Sequence, residues 1–253
     1  MDLNPYARPF RERAPLLTER DQVRREIAYQ KISEAERSIG KRKAICLRGR
    51  EFSCRVWATR WQRPFGGQDD EGLKFRDVQF LIDGLGGVVG TGLFREWKGP
   101  PFLSTDEIFY VLDDLSFEDA RLADVIRKAW STFEHPLNYG AVVEFRSIVV
   151  SNRQSGWAEA AQLIMDRFFV RDHSLLLLLA FPLEYENRLP AEDNRARREF
   201  GRRQSAMMRW YARKLGVGLM PGFLGKAGWM FRRLGNSCPA PRASRRRTLL
   251  RVG

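Results

Sequence analysis

The chain has 253 residues, 43% of them hydrophobic, and a formal net charge of +13 at pH 7. This length and composition allow one domain with a sizeable buried core. Three cysteines without C-x-x-C spacing and only two histidines argue against a zinc site. No apolar run is long enough for a membrane helix, and an odd number of cysteines without a signal peptide predicts a protein of the reducing cytoplasm.

The excess of positive over negative charge lies entirely in the last quarter of the chain. From Glu192 onward there are 16 Arg and Lys residues against 3 Asp and Glu residues, whereas the charges before that point balance. A basic segment over 192–253 predicts an acidic partner, such as nucleic acid, CoA phosphates or an acidic protein. The alternative is a solvated helix and a tail whose charge only keeps the protein soluble. Four arginines of this segment fall largely off the apolar stripe of a predicted helix: Arg195, Arg198, Arg202 and Arg209.

In chain order, the first third predicts an N-terminal arm, one helix and two hairpins. The arm covers residues 1–17, and Thr18 has the residue type of an N-cap for the helix that follows. Apolar segments separated by turn residues predict one hairpin within 44–61 and a second one within 77–94.

The glycine-rich second hairpin does not fit a dinucleotide-binding turn. Asp83-Gly84 is a two-residue hairpin signal. A G-x-G-x-x-G pattern that begins at Gly84 needs its third glycine at position 89, which is Val89, and no helical pattern follows. We therefore predict two paired strands here and reject a Rossmann fold.

Residues 104–132 carry two helical patterns. A capping box begins at Ser104, and a break near Ser116 separates two apolar stripes. Two acidic pairs lie in this region, Asp113-Asp114 and Glu118-Asp119. At this spacing, and without further ligands, they predict solvated helix faces rather than a metal site.

The segment from Ala141 to Pro182 predicts a strand, a turn, a helix and a second strand. The β-branched run 142–150 is typical of a buried strand, and an amphipathic helix begins near Trp157. The second strand, 174–181, contains five consecutive leucines and is too short to span a bilayer. The turn between the first strand and the helix reads Arg153-Gln154-Ser155-Gly156-Trp157-Ala158.

This turn has the features of an anion site. A helix that begins here directs unpaired backbone N–H groups, and the positive end of its dipole, at a ligand above the turn. Gly156 allows close backbone approach, Ala158 is small, and Arg153 adds a positive charge. A pyrophosphate suits such a turn. The alternative is an ordinary βαβ unit with an incidental arginine.

The turn and its flanking elements resemble the acyl-CoA-binding core of the GNAT-type N-acyltransferase superfamily, whose signature here is Q/R-x-x-G-x-G/A. The hairpin at 77–94 and the helix that ends at Leu215-Gly216 follow the family's order, so the resemblance covers about residues 75–233. It implies an α+β fold with a mixed, mostly antiparallel sheet of six or seven strands, splayed in the middle and flanked by helices. A single domain over 18–235 and a basic, disordered tail over 236–253 are expected.

In that family acyl-CoA lies in the splay of the sheet. Its pantetheine pairs with the strand before the turn, and its pyrophosphate rests on the N–H groups of the turn. The resemblance therefore implies acetyl-CoA as co-substrate, with no metal. The residues that it assigns to CoA are Ile148 and Val150 for the pantetheine, and Arg153, Gln154, Ser155, Gly156, Trp157 and Ala158 for the pyrophosphate.

The implied reaction is acyl transfer by direct attack of an amine, which needs a proton acceptor and a donor for the departing thiolate. Glu144, a carboxylate in an apolar strand, is the candidate base, because burial would raise its pKa. Its other possible roles are a surface position or pairing with Arg146 or Arg153. Tyr211 is the candidate acid, with core packing as the alternative. The segment 210–217 has one residue more than the family motif, which turns Tyr211 by about 100°.

Two functions of different classes follow. The first is an N-acetyltransferase that moves an acetyl group from acetyl-CoA to a small-molecule or protein amine. The second is a GNAT-like scaffold without activity that binds nucleic acid or an acidic protein through residues 192–253. Arg153 and Gly156 favour the first function, whereas the altered tyrosine motif and the concentrated charge favour the second.

Overall fold

A computed structural model describes residues 19–39, 44–49, 52–64, 72–84, 87–151, 156–169, 174–182 and 194–242. The strands in these ranges are β1 (Ile45–Arg48), β2 (Ser53–Ala58), β3 (Lys74–Gly84), β4 (Gly87–Lys98), β5 (Ala141–Val150), β6 (Ser174–Leu179), β7 (Gly218–Leu219) and β8 (Trp229–Arg233). The helices are α1 (Glu19–Ile39), α2 (Thr105–Asp113), α3 (Phe117–Ala129), α4 (Pro136–Tyr139), α5 (Trp157–Phe168), α6 (Asn194–Leu215) and α7 (Gly222–Lys226).

The strands form one open sheet in the order β1-β2-β3-β4-β5-β6-β8-β7. Every neighbouring pair is antiparallel except β5 and β6, which run parallel. The prediction of an α+β protein with a mixed, mostly antiparallel sheet is therefore confirmed. The predicted count of six or seven strands is wrong, because the described residues form eight. The two residues of β7 are too few to carry an alternating pattern that would predict a strand.

The sheet separates two apolar layers, because successive side chains of a strand point to opposite faces. On one face, which we call the α5/α6 face, Val143 and Phe145 of β5 pack with Trp157 and Tyr211 from those two helices. On the other, the α3 face, Val142 packs with the buried residues of α2 and α3. Helix α1 also covers the α3 face, where its Ala35 packs with Leu81.

The strand β5 and the helix α5 form where the sequence predicts them. The strand is buried over most of its length, as its β-branched composition indicates. The helix follows Gly156, whose φ of +63° lies in the left-handed region that glycine adopts without a steric cost. Trp157, Ala160, Ala161 and Ile164 of the predicted apolar face are all buried.

The capping signals in the region of the two acidic pairs also form as predicted. The Ser104 hydroxyl accepts a hydrogen bond from the Glu107 N–H, and the Glu107 carboxylate accepts one from the Ser104 N–H. Ser116 caps α3 and separates it from α2. Gly216 ends α6 with a φ of +66°, as expected of a C′ residue.

The first residues of the predicted tail contact the body of the protein. Cys238 is buried in the core of the α3 face. The Trp130 indole donates a hydrogen bond to the Pro239 carbonyl at 3.1 Å, and the Arg242 N–H donates one to the Ala129 carbonyl at 2.8 Å. The rest of the predicted tail, 243–253, and the predicted arm lie outside the described residues.

No helix in the described ranges is both long and apolar enough to cross a membrane.

Replacing Phe94 with alanine tests how far the aromatic cluster on the α5/α6 face stabilises the fold. Phe94 is fully buried, and its ring centroid lies 4.6 Å from that of Phe145 and 5.4 Å from that of Phe169. We expect Phe94→Ala to lower the free energy of unfolding by about 3–5 kcal/mol, measured by urea denaturation. In the matched control Phe133→Ala, the side chain is 57% exposed, and the change should stay within about 0.5 kcal/mol.

Candidate functional site

The parallel strands β5 and β6 separate in the middle of the sheet. Their pairing ends at Phe145 and Leu178, yet β5 continues to Val150 and remains paired with β4. A bulge marks the point of separation, because Phe94 lies opposite Phe145 while Leu93 lies opposite Ser147. From residue 146 to 150, β5 is thus hydrogen-bonded to β4 on one side, whereas no other described strand pairs with its second edge, which we call the open edge.

At two positions of the open edge, the backbone groups of β5 point away from β4 and pair with no other described strand. The Ser151 N–H donates a hydrogen bond to the Val89 carbonyl at 2.8 Å, so these two residues form a hydrogen-bonded pair. Along an antiparallel ladder such pairs alternate with pairs whose backbone groups point away from each other. In this register the N–H and C=O groups of Ile148 and Val150 point away from β4 and into the opening. These are the two residues assigned to pantetheine.

A cavity of about 610 Å³ fills the opening and has walls on both faces of the sheet. The α3 face contributes Phe117 and Arg121, and the α5/α6 face contributes Met207 and Tyr211. Such a volume is within the usual range of small-molecule sites. The structure brings four predicted site residues together at this cavity: Glu144, Ile148, Val150 and Tyr211.

The predicted pyrophosphate turn is described only from Gly156 onward, and Arg153, Gln154 and Ser155 lie outside the described residues. Gly156 has no side chain to cap α5, so the first N–H groups of this helix have no side-chain acceptor at the N-cap position. The Trp157 side chain faces the core, with its ring centroid 4.2 Å from that of Trp210. Gly156, Trp157 and Ala158 follow the open edge of β5 but do not line the cavity.

Gly156 is also required by the fold itself. A Cβ atom at this position would lie 2.8 Å from Cδ1 of Phe52, and the φ of +63° strains any residue with a side chain. The fold therefore explains the glycine of the R-x-x-G-x-A pattern without any ligand.

Glu144 is a buried carboxylate at the wall of the cavity, with 7% of its surface exposed. Its Oε2 atom accepts a hydrogen bond from Nε of Arg146 at 2.8 Å. Burial raises the pKa of Glu144 above its usual value, and the charge of Arg146 opposes this effect without cancelling it. Both the expected desolvation and the expected pairing with Arg146 are present.

Glu144 is the end of an alternating chain of charges on the α3 face. Arg146 also binds the Asp119 carboxylate, and Arg95 binds Asp119 at 3.2 Å. Arg95 in turn holds Asp77 through two hydrogen bonds of 2.6 and 2.9 Å. The prediction of a solvated helix face at Glu118-Asp119 is wrong for Asp119, which is 2% exposed because it lies between these two arginines.

Tyr211 reaches the cavity from the opposite face. It is 6% exposed, and its ring packs edge-on against Phe145 and Trp157 with centroid distances of 6.3 and 6.0 Å. Burial raises the pKa of its phenol, so the hydroxyl keeps its proton at neutral pH. Both predicted roles, donor and core residue, are compatible with this position.

Arg121 is a cavity residue that the sequence pattern does not single out. Its guanidinium lies 5.6 Å from the ring centroid of Phe117 and 5.9 Å from that of Phe181. It forms no salt bridge with any residue that the structure describes. Burial lowers the pKa of Arg121, while the charges of Glu118 and Glu144 oppose this shift. The residues next to Arg121 in sequence do not indicate that it lies in a cavity wall, because the cavity walls come from distant parts of the chain.

A second feature is a basic groove along the outer surface of α6. Arg198, Arg202 and Arg209 are exposed, and none of them forms a salt bridge within the described part of the chain. The spacing of the arginines from Arg195 to Arg209 keeps them on one side of the helix over about 21 Å. The residues that line this groove, which we call the α6 arginine stripe, are Asn194, Arg195, Arg198, Gly201, Arg202, Ser205 and Arg209.

The described residues contain no group of three or more His, Cys, Asp or Glu side chains placed to hold a metal ion. Comparison with known proteins returned no match: neither a family model, nor a curated protein, nor a solved structure is significantly similar to this chain.

Proposed function

We propose that the protein is a GNAT-type N-acetyltransferase that moves an acetyl group from acetyl-CoA to an amine. The observation that carries this proposal is the open edge of β5 beside a cavity that passes between two parallel strands. The amides of pantetheine need backbone partners, and the unpaired groups of Ile148 and Val150 offer them as an added strand would. The N-terminus of α5 follows directly and suits the pyrophosphate.

In the proposed reaction, Glu144 removes the proton of an incoming ammonium group. Among the described residues only Arg146 hydrogen-bonds its carboxylate, through Oε2, which leaves Oε1 for the acceptor. A raised pKa makes this carboxylate a stronger base than an exposed one. The neutral amine then attacks the thioester carbonyl. The C–N bond forms, the C–S bond breaks, the nitrogen loses its second proton, and the thiolate takes one up.

Tyr211 would stabilise the departing thiolate. A phenol whose pKa is raised gives up its proton less readily than a thiol does, so it acts by donating a hydrogen bond rather than by transferring the proton. Tyr211 lies on the α5/α6 face, opposite Glu144, so in the proposed reaction the base and the donor would approach the thioester from different sides.

A second candidate function is supported by the α6 arginine stripe. Arg198, Arg202 and Arg209 of this stripe are exposed and form no salt bridge with a described residue, and such side chains suit the phosphates of a nucleic acid, whose contacts with protein go largely to the backbone. This function does not require the cavity, so the two proposals can be tested separately.

Replacing Ile148 with proline tests acetyl-CoA binding. Proline removes an N–H that the sheet does not use, and a strand edge tolerates it. We expect Ile148→Pro to lower acetyl-CoA affinity at least about tenfold in calorimetry. The backbone N–H that would bind the ligand is lost, and the proline ring occupies space beside the strand edge where the ligand would lie. The control Ile148→Ala shortens the side chain but keeps the N–H, and it should bind within a fewfold of wild type. Equal affinities in a folded Ile148→Pro variant and wild type would contradict the proposal.

Replacing Glu144 with glutamine tests the base. We expect Glu144→Gln to lower turnover roughly 10²–10⁴-fold with little change in acetyl-CoA affinity. In wild type, activity should rise with pH as Glu144 loses its proton. Because the pKa of Glu144 is raised, this rising limb of the pH–activity profile should lie above the usual pKa range of glutamate. The limb should be absent in the variant. Turnover at the wild-type level would mean that solvent supplies the base.

Neutralising the α6 arginine stripe tests the second function. If the full-length chain binds single- or double-stranded DNA through phosphates, its affinity should fall steeply with salt concentration. The double variant Arg198→Gln/Arg202→Gln should then reduce the slope of log affinity against log salt by about two. The matched control Arg37→Gln/Arg48→Gln removes two exposed arginines elsewhere and should leave the slope unchanged. Absence of salt-dependent binding would leave these arginines as solubilising charge.

A further inference from the structure

Arg121 is a cation in the cavity wall whose charge is not neutralised by a contact within the described part of the chain. Glu118 and Glu144 are near enough to influence its pKa, but neither lies within salt-bridge distance. The other cavity arginine, Arg146, is already held by Glu144 and Asp119. A partly desolvated guanidinium without a carboxylate partner favours an anionic group on the ligand, because its N–H donors match a carboxylate in a planar fork.

The geometry points to an acceptor that carries a carboxylate together with its amine, as an α-amino acid does. In this arrangement Arg121 binds the carboxylate of the acceptor, and Glu144 receives the ammonium group from which it removes the proton. Both residues lie on the wall of one cavity, and Arg121 senses the charge of Glu144. This inference names the substrate class of the proposed acetyltransferase and rests on that proposed function.

The surroundings of Arg121 also indicate which kind of side chain the acceptor carries. The ring centroids of Phe117 and Phe181 lie 5.6 and 5.9 Å from the guanidinium, and Leu179 and Trp229 contribute further apolar wall. Apart from the indole N–H of Trp229, these side chains offer no hydrogen-bond partner to a polar side chain, and they gain from contact with an apolar one. We therefore assign the site to amino acids with an aromatic or aliphatic side chain.

Direct binding tests this assignment without requiring turnover. The full-length chain is titrated with L-phenylalanine and, separately, with L-phenylalaninamide, below the pKa of both amines, so that the two ligands differ only at the carboxylate. We expect the acid to bind roughly ten to a hundred times more tightly than the amide, the usual effect of a hydrogen bond to a charged group. Arg121→Gln should abolish this preference, and Arg121→Lys, which keeps the charge, should retain part of it.

The matched control is Arg127→Gln on the same helix. Arg127 does not line the cavity, and its side chain is 41% exposed and paired with Asp124 at 3.6 Å, so the preference for the acid should persist. Equal binding of acid and amide by wild type, or a preference that survives in Arg121→Gln, would overturn the inference.

Acetyl-CoA titration of the same samples separates the two proposals. If acetyl-CoA binds but acid and amide bind equally, the acetyltransferase proposal stands and the acceptor assignment fails. If acetyl-CoA does not bind while Arg121 still determines a preference for the acid, the cavity is an amino-acid site and the acetyltransferase proposal fails.

Discussion

The separation of β5 from β6 is the constraint on which the rest of the site depends. Two parallel strands that stay paired would use all their backbone groups and leave no space between their side chains. Here the ladder ends at Phe145, and the bulge at Arg146 shifts the register with β4. The strand is then held from one side only. An open edge and a cavity lined by residues of both faces follow from this single break in pairing.

The series of alternating charges on the α3 face stabilises the region where β5 and β6 separate. Asp119 in α3 binds arginines from β4 and from β5, so the helix is tied to the sheet where the cavity begins. Removing two charges from water costs free energy, and buried pairs are retained when their geometry is specific. In this protein the series of alternating charges holds Arg146 in place, and Arg146 orients the carboxylate of Glu144. The position of the candidate base is thus determined by residues from three elements.

Local patterns predict the elements well and the charged network poorly. The β-branched run before the turn and the apolar face beginning at Trp157 are properties of adjacent residues, so β5 and α5 lie where the sequence predicts them. Asp119 has the local pattern of a solvated helical residue, and its burial depends on arginines 24 and 27 residues away. The position of Arg121 in a cavity wall likewise cannot be predicted locally, because the cavity forms only where α3 packs near β5 and the residues after β6.

The sheet also divides the proposed reaction between its two faces. Glu144 and Arg121 reach the cavity from the α3 face, whereas Tyr211 reaches it from the α5/α6 face. An acceptor bound by the first pair and a thioester lying along the β5 edge would meet only within the gap between the strands. In the proposed reaction, the same break in strand pairing that opens the site would therefore also determine where the two substrates come together.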